Sequence, residues 1–538
     1  MAIKRFLASA DTTITNAFLE DLTTRATASN IGLADSLEVF SVYGQTSGSA
    51  NGYSSELSRV LVKFPVTTGD DSVRSIQAKR NAGEIPASGS VSFFLKMYNV
   101  AHHETLPVNA KYNIFAASSS WEEGRGLDLD TYTDKTLDAV GANWMNASSG
   151  TLWAKPGGDF HSASNGASGG ILYSKTLPNG HEDLEVDISE MVEKWINSTS
   201  PSSIPNYGVG IFLTSSNEAH FSSSTGADII SRASGGLLHN PDGAKVSYHT
   251  KKFSARSSEY FFKRPVIEAR WDSTIKDDRG NFYYSSSLAT AEENLNTLYF
   301  YNYFRGQLRN IPSIGTGEIY LNIYSGSSED TVPVTGALTL VADATYVAAA
   351  GPTVVTGGYV STGIYSASFA ITAASTPLNT LYDVWTNGTG GVQYHTGTVN
   401  PIINVPSTIA PNTKHVSSIT NLRNIYSNEE TARFRVYTRL KGWSPNIYTK
   451  ARPTAQVNII ESGSYEIYRI IDDLKVVPYG TGSLRHTQLS FDASGSYFDF
   501  DMSILESGYM YGIKLSYYNN SVGAWVRQPE IFKLRVED

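Results

Sequence analysis

Short runs of β-branched and aromatic residues, each closed by Gly, Pro, Asn or Ser, recur along the whole sequence and constrain its fold more than any other feature. "SLEVFSVYG", "SRVLVKFPV", "SVSFFLKMYNV" and "KYNIFAAS" come first. "GEIYLNIYS", "GIYSASFAIT" and "LYDVWTNG" follow, and "ARFRVYTRL", "SYEIYRIIDD", "YFDFDMSIL" and "YMYGIKLSYYN" close the chain. Such runs suit pleated strands with at least one buried face, and the residues between them are turn formers. Charged residues make up 17% of the chain, below the usual figure of about 25%, which leaves little material for long solvated helices. The best helical signal is "DLEVDISEMVEKWINSTS", where Asp187 or Ser189 can cap and Ile188, Met191, Val192 and Trp195 share one face. The expected class is all-β.

At roughly 100–200 residues per domain, 538 residues call for several modules. We expect a first module over 1–275, ending on "RPVIEARWD". The stretch "DSTIKDDRGNFYYSSSLATAEEN" reads as a polar boundary, with Asp277, Asp278 and Arg279 exposed. A linker plus an immunoglobulin-like β-sandwich is expected over 276–400 and a second such sandwich over 401–538, because turn signals recur there at roughly 8–12-residue intervals.

Composition removes several function classes. The net charge is −9 and no Lys/Arg run stands out, so the electrostatic footprint of a nucleic-acid binder is missing. No stretch reaches the roughly 18–20 apolar residues of a membrane span, and the opening residues lack the apolar core of a signal peptide. Synthesis in the cytoplasm is the expectation. With no cysteine, disulfides, thiolate metal sites and a cysteine nucleophile are all excluded.

The densest candidate chemistry is "SSSWEEGRGLDLDTYTD", Ser118 to Asp134, which sets Glu122, Glu123, Asp128, Asp130 and Asp134 beside Trp121. A glycosidase needs two carboxyls facing each other across a sugar, and Glu122, Glu123, Asp128 and Asp130 are the local candidates. A calcium site needs oxygens at alternating positions, which makes Asp128, Asp130 and Asp134 the metal candidates, although the EF-hand spacing is absent. We read the stretch first as a solvated loop. His102 and His103 are adjacent and fit no metal motif, and the sequence carries neither a Gly-x-Ser-x-Gly elbow nor a phosphate-binding glycine loop. The glycine- and serine-rich runs at Ser162–Gly170 and Ser231–Gly236 read as flexible loops. No catalytic residue and no cofactor is expected. The aromatic-rich "FYNYF", Phe300 to Phe304, suits a core, a protein interface or a sugar platform.

The order of motifs in the first half carries a resemblance. Asp11-Thr-Thr-Ile, Asn30-Ile-Gly, "SRVLVKFPV", Trp121-Glu-Glu-Gly, Trp144, "VDISEMVEKWI", "NYGVGIFL" and "SSEYFFKRPVIEARW" follow one another. This series resembles the DNRLRE-type β-sandwich, a jelly-roll-like relative of carbohydrate-binding modules. The resemblance implies a jelly-roll-like sandwich with one short helix, a structural turn at Trp121-Glu-Glu-Gly, and a binding or structural module rather than an enzyme. The chain departs from the pattern between Trp144 and Leu184 and between Phe221 and Tyr248.

The chain as a whole resembles virion structural proteins of contractile-tailed phages of marine cyanobacteria. The resemblance is carried by "MAIKRFLASADTTITNAFLEDLTTRATASNIGLADSLEVF", "ELSRVLVKFPV", "RPVIEARWDSTIKDDRGNFYYSSSLA" and "LNTLYFYNYFRGQLRNIPSI". It implies a virion component, assembled in the host cytoplasm, that binds other phage structural proteins as a homo-oligomer in the tail or baseplate. The alternatives are a capsid-decorating or neck protein, and an adhesin that contacts a host-surface glycan.

Overall fold

The computed structural model describes residues 2–19, 22–44, 55–103, 106–127, 141–161, 172–197, 203–290, 292–326, 336–340, 352–372, 378–388, 392–402, 414–444, 446–447, 458–480 and 482–538. The protein is nearly all β, and it divides into two compact units, Ala2–Asp272 and Ser273–Asp538.

The first unit packs two antiparallel sheets face to face. The smaller runs in the order Ile3–Leu7, Val266–Trp271, Val91–Met97, Leu184–Asp187. The larger runs Tyr248–Ser254, Ser36–Val42, Glu56–Lys63, Val209–Leu213, Ala110–Ala116, Leu172–Leu177, with Ala10–Thr15 also paired to Glu56–Lys63. Period-2 alternation sends Leu37 and Val39, Val60 and Val62, Phe93 and Leu95, and Ile267 and Ala269 into one shared core. The Ser189–Ile196 helix closes one end of this core with Met191, Val192 and Trp195, as its spacing predicts. Its cap differs from expectation. The N-cap residue is Ile188, while the Asp187 carboxylate accepts from the Ser189 N–H at 2.9 Å and the Ser189 hydroxyl accepts from the Phe93 N–H at 2.7 Å. A second short helix, Ile76–Asn81, sits beside the expected one and is capped by the Ser75 hydroxyl at 3.2 Å from the Ala78 N–H.

The Glu56–Lys63 strand reads as half-buried in the sequence, yet both of its faces are covered. Residues between Trp121 and Phe160, together with the Ala219 and Leu238 region, lay a second apolar cluster over the outer face of the large sheet. There Leu57 and Leu61 meet Trp144, Met145 and Trp153. Gly210 has no side chain on that face because the Phe160 ring fills the space, and a Cβ would lie 2.0 Å from it. The Ser231–Gly236 run, expected to be a flexible loop, is part of this layer. The Trp144 indole donates to the Gly236 carbonyl at 2.8 Å and the Asn16 amide donates to the Gly235 carbonyl at 3.3 Å. The Ser162–Gly170 run lies outside the described residues.

The second unit holds two groups of strands, which form two modules in chain order. The first is one continuous antiparallel sheet in the order Asn296–Tyr301, Ile364–Phe369, Val355–Ser361, Ile319–Gly326, Thr380–Thr386, Gln393–Val399. It curls on itself, so that Phe300 of the first strand stacks on Trp385 at 5.8 Å and on His395 at 5.6 Å, on the last two strands. The second module pairs a four-stranded sheet, His415–Ile419, Thr431–Leu440, Gly495–Asp501, Ser490–Asp492, with a five-stranded one. The latter runs Ile425–Ser427, Ala524–Glu537, Met510–Asn519, Gly463–Arg469, Lys475–Val477. Its core is aromatic: Phe498 stacks between Tyr465 at 4.0 Å and Phe434 at 5.0 Å.

The stretch expected as an exposed linker is a structural weld. Asp277 and Phe282 are buried. The Ile275 carbonyl accepts from the Phe491 N–H, and the Asp277 N–H donates to the Phe491 carbonyl, both at 3.0 Å, so this segment extends the second module's sheet. A few residues on, Ile402 donates to the Phe282 carbonyl at 2.7 Å, and Phe282 and Tyr284 enter the first module's core. Arg279 then forms a bidentate pair with the Asp383 carboxylate at 2.6 Å for both contacts, and the Trp385 indole donates to Asp383 at 2.8 Å. Asp383 is fully buried, so charge neutralisation by Arg279 is what permits its position.

Candidate functional site

In the described part of the acidic stretch at Trp121, Glu122 and Glu123 part ways and Glu123 builds a joint. Glu122 is exposed, and its backbone pairs with Ala142 and Ala147. Glu123 turns inward. Its two oxygens accept from the Arg256 guanidinium at 2.9 and 2.7 Å, and one also accepts from the Asp11 N–H at 2.9 Å. Asp11 in turn accepts from the Arg256 N–H at 2.5 Å. Burial pushes the Asp11 carboxyl up to about 7, with Glu123 adding to the rise and Arg256 opposing it. Asn30 ties the turn together by donating to the Glu123 and Ala142 carbonyls, each at 2.7 Å. Gly124 takes a left-handed φ of 82° against the Asn30 amide, where a Cβ would lie 2.1 Å away. The Trp121 indole donates to the Tyr207 carbonyl at 2.7 Å. Asp128, Asp130 and Asp134 lie outside the described residues. Among the described residues, no three of His, Asp and Glu converge as a metal site.

The aromatic run Phe300–Phe304 splits between two environments. Phe300 is core. Tyr303 and Phe304 stand at the tip of a two-residue hairpin, 61% and 51% exposed. Arg305 and Gly306 make the turn with φ of 51° and 78°, the left-handed pair that such hairpins need. The guanidinium carbons of Arg305 and Arg309 lie 5.3 and 5.7 Å from the Phe304 ring centroid, within cation–π range.

A groove of about 510 Å³ lies at one end of the C-terminal module, within the size range of ligand sites. Three structural features form it. Lys414 and His415 begin one strand, and Lys441 follows the end of its neighbour, where the Lys441 N–H donates to the Lys414 carbonyl at 2.7 Å. Tyr517 forms part of the wall, tied across the sandwich by a 2.7 Å hydrogen bond between its hydroxyl and that of Ser417. The turn of the hairpin joining Met510–Asn519 to Ala524–Glu537 supplies Tyr518, Asn519, Asn520 and Ser521, and the Asn519 side chain accepts from the Ser521 N–H at 2.9 Å.

The register of that hairpin slips between Lys514 and Ser516, which pair with Ile531 and Arg527. Gln528, Pro529 and Glu530 therefore form a bulge in the ladder, with Gln528 buried, and Pro529 has no N–H to lose from the ladder. Val526, Arg527, Gln528 and Pro529 line the groove as a result. Tyr518 is 41% exposed and braced edge-on by Trp525 at 5.7 Å. His415 packs edge-on to Tyr517 at 5.7 Å, and burial holds its imidazole below the usual range. The lining contains Lys414, His415, Lys441 and Arg527 and no carboxylate. On the sheet side of the groove Glu466 lies 3.3 Å from Arg527. Sequence reading misses this site because its cations lie far apart in the chain and form no run. The signals present are the Asn-Asn-Ser turn between two aromatic strands and a proline inside a strand run.

No family model and no curated protein matches the chain. A solved marsupial T cell receptor chain is similar over 46% of this chain and 70% of its own, at 9% identity and a TM-score of 0.14. A likeness at that level carries no argument about what the groove or the hairpin binds.

Proposed function

We propose that the protein is a non-enzymatic structural component of a phage particle, placed in the tail or baseplate, that holds other virion proteins through its β-modules. The sequence resemblance suggests the particle. The observation that carries a holding role is the Tyr303–Phe304 hairpin, two adjacent exposed aromatics beside Arg305 and Arg309 on a two-stranded sheet of its own. Aromatic and arginine side chains are the residue types enriched at protein interfaces. The weld at Ile275–Tyr284 supports the same role, since load passing between the two C-terminal modules meets paired backbone instead of a loose tether. Assembly in the host cytoplasm and a homo-oligomeric state belong to the same proposal.

The test is immunogold labelling of intact phage particles with an antibody against residues 401–538. Label confined to the tail or its tip supports the proposal. Label over the head or neck moves the protein to a decorating or neck role, and no label on any particle removes the virion reading. A second reading, an adhesin that contacts a host-surface glycan, is favoured by the basic and aromatic groove.

A further inference from the structure

We propose that the groove at the end of the C-terminal module binds an acidic polysaccharide, one whose sugar rings carry carboxylate or sulfate groups. The inference rests on the groove alone and holds whether or not the chain belongs to a particle. Its first support is charge. The chain carries a net charge of −9, yet this lining brings Lys414, Lys441 and Arg527 together with no carboxylate in it; of the three, Arg527 is paired, with Glu466 behind the groove. Among the described residues neither lysine forms an ion pair with a carboxylate. Cations gathered in a concave surface focus the field on an incoming anion.

The second support is the mixture of groups around those cations. Tyr518 is exposed and braced by Trp525, so little side-chain freedom is lost when a ring packs on it. Asn519 and Asn520 bring amides to the lining, groups that both donate and accept. A sugar chain matches this set: apolar C–H faces for Tyr518, hydroxyls for the amides, and carboxylate or sulfate for the lysines and Arg527.

The test is calorimetric titration of the full chain with four probes: an oligogalacturonate, a heparin-derived hexasaccharide, a neutral galacto-oligosaccharide and a poly-glutamate peptide. The expected result is binding of at least one acidic glycan, weakened by added salt, and none of the neutral one. Preference between the first two probes separates carboxylate from sulfate as the recognised group. Lys414→Gln, Lys441→Gln and Tyr518→Ala each change an exposed side chain. Each is expected to weaken binding about tenfold while leaving the melting temperature unchanged. The proposal is overturned if neither acidic glycan binds, or if binding ignores all three substitutions. It is also overturned if poly-glutamate binds as tightly as the glycans and is indifferent to Tyr518→Ala, which would assign the groove to an acidic peptide. None of these outcomes depends on where the antibody labels a particle.

Discussion

Two strands of this protein look alike in sequence and end in opposite surroundings. Glu56–Lys63 and Thr431–Leu440 each pair on both edges within their sheets, and both carry arginine among apolar residues, Arg59 in the first and Arg433 and Arg435 in the second. In the first, Arg59 points to the outer face and is buried there. It pairs with Glu218 through two 3.0 Å contacts, donates to the Gly157 carbonyl at 3.1 Å, and lies 4.5 Å from the Phe212 ring. In the second, Arg433 and Arg435 also point outward. They pair with Asp499 and Asp492 at 2.7 Å and lie over the Tyr497 ring, but stay 46% and 29% exposed. Both strands place arginine on the outer face of a sheet. They differ in whether a distant segment covers the outer face, and this decides whether an arginine is a structural necessity or a modest surface contact.

Substitutions can break that contrast. Arg59→Ala leaves Glu218 buried without its partner, so we expect a loss of about 3–5 kcal/mol, measured by denaturant unfolding. A loss below about 1 kcal/mol would mean that the outer layer does not hold Arg59 in a dry site. Arg279→Ala is the corresponding break in the second unit. Asp383 keeps the Trp385 indole but loses its guanidinium, and a loss of about 3 kcal/mol is expected together with faster proteolysis near the Ile275–Tyr284 segment.

The buried acids sharpen the contrast through pH. Burial raises the Asp11 carboxyl from its ordinary 3.8 to about 7, so its contribution to stability is complete below about pH 4 and is lost as pH rises through 7. Asp277 and Asp278, raised by burial to about 6 and about 7, act with the same sign in the second unit. Glu268 titrates in the opposite sense: its carboxyl is held low by Lys96, Arg5 and Arg270 against the effect of its burial, so its contribution is lost only at acid pH. Melting temperatures followed from pH 5 to pH 8 are expected to fall, and Asp11→Asn to flatten the fall in the first unit; an unchanged slope would remove Asp11 as a cause. The smallest effect is expected from Arg433→Ala, at about 0–1 kcal/mol and reduced further by salt, because that pair is half in solvent.

Much of the architecture was legible residue by residue. Leu37/Val39 and Tyr112/Ile114 alternate as half-buried strands should, and Met191, Val192 and Trp195 mark a helix face. The misreadings share one cause. Asp277, Asp278 and Arg279 look like a solvated boundary because polar residues in sequence carry no sign of the Asp383 that waits more than a hundred positions away. Ser231–Gly236 looks like a flexible loop because glycines that allow close packing and glycines that allow motion are the same residue. Ile76–Asn81 was missed because a helix of that length shows too little periodicity to separate from a turn.

The candidate site divides in the same way. Glu123 could be singled out from the sequence, but only its partners Arg256 and Asp11 show that it closes a joint. Lys414, Lys441 and Arg527 carry no local signal at all. By itself the sequence determined that this chain would be built of strands, without cysteine chemistry and with an acidic balance, because strand propensity, alternation and charge are properties of neighbouring residues. Only the tertiary structure decided which faces are covered, which carboxylates are neutralised and where the cations gather. Those outcomes depend on segments far apart in the chain meeting in space, and on the desolvation that follows when they meet.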